Sequence, residues 1–358
     1  VRNTLIAQNV NVSVGAGIIL GGLMENSVIV SNRSTHVNTG YGGGLRIAGG
    51  MVSNTLIAYN QATDGGGGVY MTGGALIRSI IRDNVKGSGN VNRHGGGVWM
   101  TAGLLANCLL YSNRITSLTG YGAGVAIEGG RMLNCTVADN LRTEGNPYSG
   151  IYQTGGAISN SIAFYNGAGY PATGMENVSQ SGGTLAYSCS QPLISGSGNI
   201  SDNPTFIDRS NLNYRLRFGS GAIDTGAALE WAEDLEGSPH PVNGDGFGGS
   251  EFDMGCYEAA APGDVFACQF SGVPLVGTNS LTVAFTAGVI GPGTNDVEYH
   301  WDFNGDSIVD VVADNIATAF HHYAAPGFYS VQLLCRNATN GEATLVRENY
   351  VQVYSPVA

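Results

Sequence analysis

Asn54-Thr55-Leu56-Ile57-Ala58-Tyr59-Asn60 decides the fold of this chain, because its pattern is written seven times within the first 170 residues. The pattern is Asn, a small residue, an apolar pair, two variable residues, Asn. Its copies start at Asn3, Asn26, Asn54, Arg78, Asn107, Asn134 and Asn160, with Arg78 replacing the first Asn in the fourth. The starts lie 23, 28, 24, 29, 27 and 26 residues apart. A period in that range marks a stacked repeat architecture.

A second pattern, built on glycine, sits between the copies. It reads Gly42-Gly43-Gly44-Leu45-Arg46-Ile47 and returns at Gly66, Gly95, Gly122 and Gly150. Each period therefore holds at least two short runs of Val, Ile, Leu and aromatics bounded by Gly and Asn, which read as strands. A propeller blade needs four antiparallel strands in roughly 40–50 residues. Two or three strands per period instead predict one coil of a parallel β-helix. Asn tolerates left-handed backbone at a sharp turn, and stacked Asn amides can hydrogen-bond up and down a ladder. Glycine permits a corner that a Cβ would block. The residue after the first Asn is always Thr, Ser or Cys, which predicts a tight inward corner. The next two positions are both mostly apolar, so alternation does not say which faces in.

The repeats resemble those of chlamydial polymorphic outer-membrane proteins over roughly residues 1–190, which implies a right-handed parallel β-helix. Beyond Cys189 come Asn203-Pro204-Thr205-Phe206-Ile207-Asp208, Tyr214-Arg215-Leu216, Ser220-Gly221-Ala222-Ile223-Asp224-Thr225-Gly226, Asp234-Leu235-Glu236-Gly237 and Phe252-Asp253-Met254-Gly255-Cys256-Tyr257-Glu258. In that order they resemble the C-terminal part of the choice-of-anchor Q family of bacterial extracellular β-helix proteins. Met254 and Cys256 depart mildly from the family's closing Asp-Ile-Gly-Ala-Tyr-Glu.

After Pro262 glycine thins out and alternating strands appear: Ser280–Thr286, Glu298–Phe303 and Tyr329–Cys335. Their spacing is that of a sandwich. With Trp301-Asp302-Phe303-Asn304-Gly305-Asp306 and Pro326-Gly327-Phe328-Tyr329, they resemble the PKD domain, an immunoglobulin-like module. The predicted chain is all-β. Residues 1–189 form coils of the helix, 190–260 the last coils and a C-terminal cap, and 262–358 a PKD-like β-sandwich.

Composition narrows the role. The net charge is −12 and Lys86 is the one lysine, which argues against nucleic acid and anionic membrane surfaces as partners. No apolar run approaches the ~18 residues that span a bilayer. The chain opens on Val1, inside a repeat, and reads as a mature or excised piece of a longer precursor. The six cysteines are not spaced for metal. Cys108 and Cys135 share a place in successive coils, as reduced thiols or as a strained disulfide. Cys268 and Cys335 sit near the first and a late sandwich strand and could bridge, which would imply an oxidising compartment.

Candidate chemistry is thin. Carboxylates in the coils are scattered: Glu25, Asp64, Asp83, Glu128, Asp139, Glu144 and Glu176. Asp83 and Asp139 share a repeat position two coils apart, about 10 Å at ~4.8 Å per coil. That is slightly wide for an inverting glycosidase pair, and two solvated turn residues are the simpler reading. His94 beside Arg93 reads as a surface turn. Tyr41, Tyr121, Tyr148, Tyr70, Trp99 and Tyr152 recur beside the glycines, as a packing ladder or a platform for sugar rings. The metal candidate is Asp302, Asn304, Asp306 and Asp310, oxygen donors spaced for a calcium loop. No catalytic residue and no other cofactor is predicted. Asn32-Arg33-Ser34 and Asn337-Ala338-Thr339 are glycosylation triplets.

These readings point to a non-enzymatic extracellular or cell-surface structural or adhesive protein. The alternative is a carbohydrate-binding or polysaccharide-degrading β-helix. Self-association into filaments by head-to-tail or strand-addition contacts is the expected assembly, with Tyr350–Tyr354 as the donated strand. Surface glycans or proteins are the other expected partners.

Overall fold

The seven copies of the asparagine pattern become successive rungs of one parallel sheet in a computed structural model of the chain. The structure describes residues 1–358 except 13, 14, 16, 20, 88–93, 119, 144–149, 168–176, 230–232, 261, 262, 264, 265, 340 and 356–358. Contacts divide the described chain into two compact units. One comprises Val1–Ser201, Thr225–Pro241 and Glu251–Glu258; the other comprises Asp202–Asp224, Val242–Ser250 and Ala259–Ala358. The stretch expected to form last coils and a cap is thus shared between them.

The first unit is a parallel β-helix with three sheets. The first holds eight strands, from Leu5–Ala7 and Val28–Val30 through Ile162–Phe164 to Cys189–Ser190. The second holds six two-residue strands, from Val10–Asn11 to Leu141–Arg142. The third holds twelve, including Leu45–Ile47, Val69–Ile77, Val98–Ala106 and Val125–Ile127. Pairing is parallel and in register, Leu5 on Val28, Val28 on Leu56, Leu56 on Ile80. Inward residues of the first sheet form an apolar column, Ile29, Ile57, Ile81, Leu110 and Val137, all fully buried.

Two polar ladders run through this core. In the first, the small residue after the opening Asn turns inward, as predicted. The Ser79 hydroxyl donates to the Ile77 carbonyl at 2.8 Å and accepts the Thr55 amide at 3.1 Å. Cys108 and Cys135 take over this role, their thiols donating to the Ala106 and Leu133 carbonyls at 3.1 and 3.2 Å. All six cysteines are buried thiols outside any disulfide, so Cys108 and Cys135 take the reduced alternative and Cys268 and Cys335 are not bridged. Burial, and then the neighbouring Cys108, push the Cys135 thiol well above its ordinary range.

The second ladder belongs to the closing Asn of each copy. The backbone N–H and Nδ2 of Asn60 both donate to Asn84 Oδ1, at 2.9 and 3.0 Å. Asn84 does the same to Asn113, Asn113 to Asn140, and Asn140 to Asn166, all at 3.0–3.1 Å. These amides are buried. The glycine pattern makes the room. A Cβ on Gly68 would stand 2.9 Å from the Asn84 amide, and one on Gly97 2.9 Å from that of Asn113. Opening Asn residues do something else: at φ of 44–51° they turn the corner in the left-handed region.

In the second unit, a sheet of three strands (Ala267–Val273, Leu281–Ile290, Thr318–Tyr323) faces a sheet of five. The five are Val276–Thr278, Glu342–Tyr354, Gly327–Asn337, Val297–Asp302 and Val311–Asp314. Trp301, Phe270, Phe285 and Phe303 fill the core with Cys268 and Cys335. Asp202 joins this unit through Arg347, the two buried side chains 2.8 Å apart. The strand expected to be donated in assembly is interior. Glu342–Tyr354 is paired on both sides, and Val351, Gln352 and Val353 are buried. Strand addition by that segment would require the sandwich to open.

Candidate functional site

The outward face of the eight-stranded sheet carries the most developed site of the β-helix. Its outward column is Val28, Leu56, Ile80, Leu109, Thr136 and Ile162, the first residue of each apolar pair; the second residue faces the core. Over the later rungs a strap of the same chain, residues 225–229, 233–241 and 251–258, covers the outward column, so both positions face apolar surroundings there. Exposure records this: Val28 is 37 % exposed, Leu56 and Ile80 are half-buried, and Leu109, Thr136 and Ile162 are at 1–2 %.

The opening asparagines hold the strap by its backbone. Asn160 reads Ala227 in both directions, accepting its N–H at 2.9 Å and donating to its carbonyl at 2.8 Å. Asn107 donates to the Glu233 carbonyl at 2.7 Å. Asn134 Nδ2 lies 3.1 Å from His240 Nε2, and His240 Nδ1 lies 2.8 Å from Glu258, with both side chains buried. Arg78, standing where the other copies have Asn, pairs with the Glu233 carboxylate. The strap is braced from within. Asp234 accepts the amides of Glu236, Ser238 and Glu258 at 2.8–3.1 Å. Cys256 sits on Thr136, its N–H 3.1 Å from the hydroxyl, and burial raises its thiol far above the ordinary range.

Past the strap the same face is open. A groove of about 580 Å³ has Val28, Leu56 and Ile80 as its floor, Asn26, Asn54 and Arg78 along its edge, and Leu235 and Tyr257 of the strap at one end. Asn26 and Asn54 are exposed, and Asn54 Nδ2 donates to Asn26 Oδ1 at 2.7 Å. Neither strap nor groove was legible as a site in the sequence. The doubled apolar position was the one signal, and it was ambiguous without knowing what covered it.

The other candidates resolve as follows. Asp83 and Asp139 occupy a left-handed corner, both at φ 54°, and Asp83 is held 2.6 Å from Arg82. Tyr41, Tyr70 and Trp99 form one cluster of rings with centroids 4.6–5.3 Å apart, and Trp99 is anchored by Glu128 at 2.8 Å. His94, Tyr121 and Tyr152 form another, at 4.8–5.4 Å, with Arg142 over Tyr121. Arg93, Glu144, Tyr148 and Glu176 lie outside the described residues. Asn32 is buried in the ladder. Asn337 is buried too, with Oδ1 accepting from Thr339 and Gly341. Neither presents an open amide for a glycan.

Asp302, Asn304, Asp306 and Asp310 do come together, as a self-satisfied turn. Asp302 Oδ1 accepts the Asn304 and Gly305 amides at 3.2 and 2.7 Å, and its Oδ2 accepts Ser307 at 2.8 Å. Asp310 accepts Phe303 at 2.7 Å, and Asp306 accepts Ile308 at 2.8 Å. Calcium wants six to eight oxygens converging on one point. Here the carboxylates are turned onto separate backbone amides. Among the described residues, no group of three or more His, Cys, Asp or Glu is gathered as a metal site. A cation bound here would have to share these oxygens with the turn's own amides.

No helix among the described residues is long and apolar enough to cross a membrane. No curated protein and no solved structure matches the chain. The PKD domain model matches residues 267–348, within the second unit, and that domain is typical of extracellular proteins.

Proposed function

We propose that this chain is a non-catalytic extracellular or cell-surface protein with a structural or adhesive role. Its β-helix is a stiff scaffold and its PKD domain a spacer or docking module. The observation that carries the reading is how the polar groups of the β-helix are used. Asn and Ser/Thr/Cys ladders saturate one another inside it. Its flank binds a length of polypeptide through side-chain amides and an apolar floor. Arg78–Glu233 ties the strap to the β-helix, and the contact of His240 with Glu258 joins the strap's two segments. The PKD match supports an extracellular setting. Resemblance of the repeats and of residues 203–258 to bacterial surface β-helix proteins supports the same role. Self-association through head-to-tail contacts fits that role, without the C-terminal strand as donor.

A second reading, carbohydrate binding, draws on the two ring clusters, because half-buried aromatic rows offer stacking faces to sugars. One experiment separates the readings. The purified chain is assayed against acidic and neutral polysaccharides for turnover and for binding. Neither turnover nor glycan binding is expected, and reproducible turnover would overturn the non-catalytic role. Saturable glycan binding lost on Tyr70→Ala would move the assignment to the second reading.

A further inference from the structure

We infer that the open groove over Val28, Leu56 and Ile80 is a docking site for an extended polypeptide segment supplied by another molecule. The inference rests on the binding-scaffold reading and names what that scaffold takes.

The chain itself shows what this face binds. On the later rungs the same column of outward residues and the same row of opening asparagines already hold a polypeptide. Asn107 and Asn160 grip backbone groups of Glu233 and Ala227, and Thr136 receives the Cys256 amide. Strap side chains close over the apolar column, with Leu235 and Tyr257 at 7 % and 9 % exposure. The groove continues that interface, with Arg78 in place of one asparagine. Its floor is apolar, its edge carries Asn26 and Asn54 in the same register as Asn107 and Asn134, and its end wall is the strap.

The chemistry selects the occupant. Side-chain amides that meet backbone N–H and C=O groups read a peptide independently of its sequence. The pleated floor, one outward side chain per rung at ~4.8 Å, accepts side chains from one face of an extended segment. The fitting ligand is linear, extended and apolar at alternate positions. Arg78 is already matched by Glu233, and the strap end adds the Glu236 carboxylate, so an acidic segment fits the groove poorly.

The test uses the whole chain, immobilised, and a displayed library of linear heptapeptides as probe. Peptides apolar at alternate positions should be enriched. Leu56→Arg should weaken each selected peptide by about tenfold or more, as loss of a central contact does. Val28→Arg, on a more exposed rung, is the second variant should Leu56→Arg fail to fold, and far-UV circular dichroism reports on both. Hydrogen exchange with a bound peptide should slow at residues 26–28 and 54–56. No enrichment, or binding indifferent to both variants, would overturn the inference. So would a dimer, lost in Leu56→Arg, appearing without peptide capture; that outcome gives the face to a second copy. Polysaccharide turnover would sink the scaffold reading while leaving peptide capture measurable, so the two fail separately.

Discussion

Removing one amide from the buried ladder should cost more than any change on the exposed corners. Asn113 is the case to test. Its Oδ1 accepts the N–H of Asn84 at 3.1 Å and the Nδ2 of Asn84 at 3.0 Å. Its own Nδ2 donates to the Ile81 carbonyl at 2.9 Å and to Asn140 at 3.0 Å. Asn113→Ala leaves the Asn84 N–H, one Asn84 amide hydrogen and one bond to the Ile81 carbonyl unmade, in a place water does not reach. At about 1–3 kcal/mol per orphaned buried group, and allowing for relaxation, the loss is about 3–6 kcal/mol. Asn113→Asp keeps the acceptor but turns an oxygen onto two oxygens. It should be worse at neutral pH and partly recover as pH falls toward the ordinary carboxylate range of about 3.9, because the neutral acid donates again. Asn54→Gly is the control. It keeps the left-handed corner and removes one exposed hydrogen bond, for about 1 kcal/mol or less. Denaturant unfolding followed by far-UV circular dichroism reads all three. An Asn113→Ala loss no larger than that of Asn54→Gly would refute the ladder as a source of stability.

Other outcomes follow from the same geometry. Lys86 is buried, donates to Gly87 and Ser117, and is lowered to about 8, first by burial. A lysine that is neutral in the fold yet charged when unfolded makes stability rise with pH between about 8 and its ordinary 10.5. That rise, up to about 3 kcal/mol, should be missing in Lys86→Met; an equal slope in both proteins would refute it. Asp302→Ala should cost the PKD unit about 2–4 kcal/mol by orphaning three turn amides. With its carboxylates on turn amides, the native chain should keep its unfolding midpoint in calcium and in chelator, and a saturable rise with calcium would assign the metal to this loop. Asn160→Gly frees both backbone groups of Ala227, so exchange at residues 225–229 should speed up while the core rungs keep their protection. Arg347→Met strands the buried Asp202 carboxyl, for about 3–5 kcal/mol, read as a lower unfolding midpoint.

The repeat made the β-helix legible because each rung restates the same constraint, and the sandwich strands were legible through alternation. A turn row and a ladder row of asparagines were both anticipated, without saying which row does which. A left-handed turn and a buried ladder both select Asn, and only the depth of Asn84 against Asn54 separates them. The strap was hidden for a different reason. Its binding is mostly to backbone groups of Ala227, Glu233 and Cys256, and backbone leaves no mark in composition. The Asp302 loop was legible as an oxygen cluster, but a carboxylate that caps its own turn has the same spacing as one that holds a cation, so spacing alone did not separate the two.

Gly68 must clear the Asn84 amide and Gly97 that of Asn113, and this pairing has a consequence for how such a molecule changes length. From the last glycine of each corner to the opening residue of the next copy is always ten residues, as Gly44 to Asn54 and Gly97 to Asn107. From there to the ladder Asn is always six. All variation in the period falls between the ladder Asn and the following glycines, where the count runs 12, 8, 13, 11 and 10 for the steps beginning at Asn32, Asn60, Asn84, Asn113 and Asn140. The conserved sixteen residues are a fixed gauge, and every insertion is routed to the same corner of successive coils. Loops that begin at one corner of neighbouring coils can be lengthened and rewritten without disturbing the ladders, much as antibody loops vary on an unchanging frame. Natural diversity among chains built this way should be concentrated there.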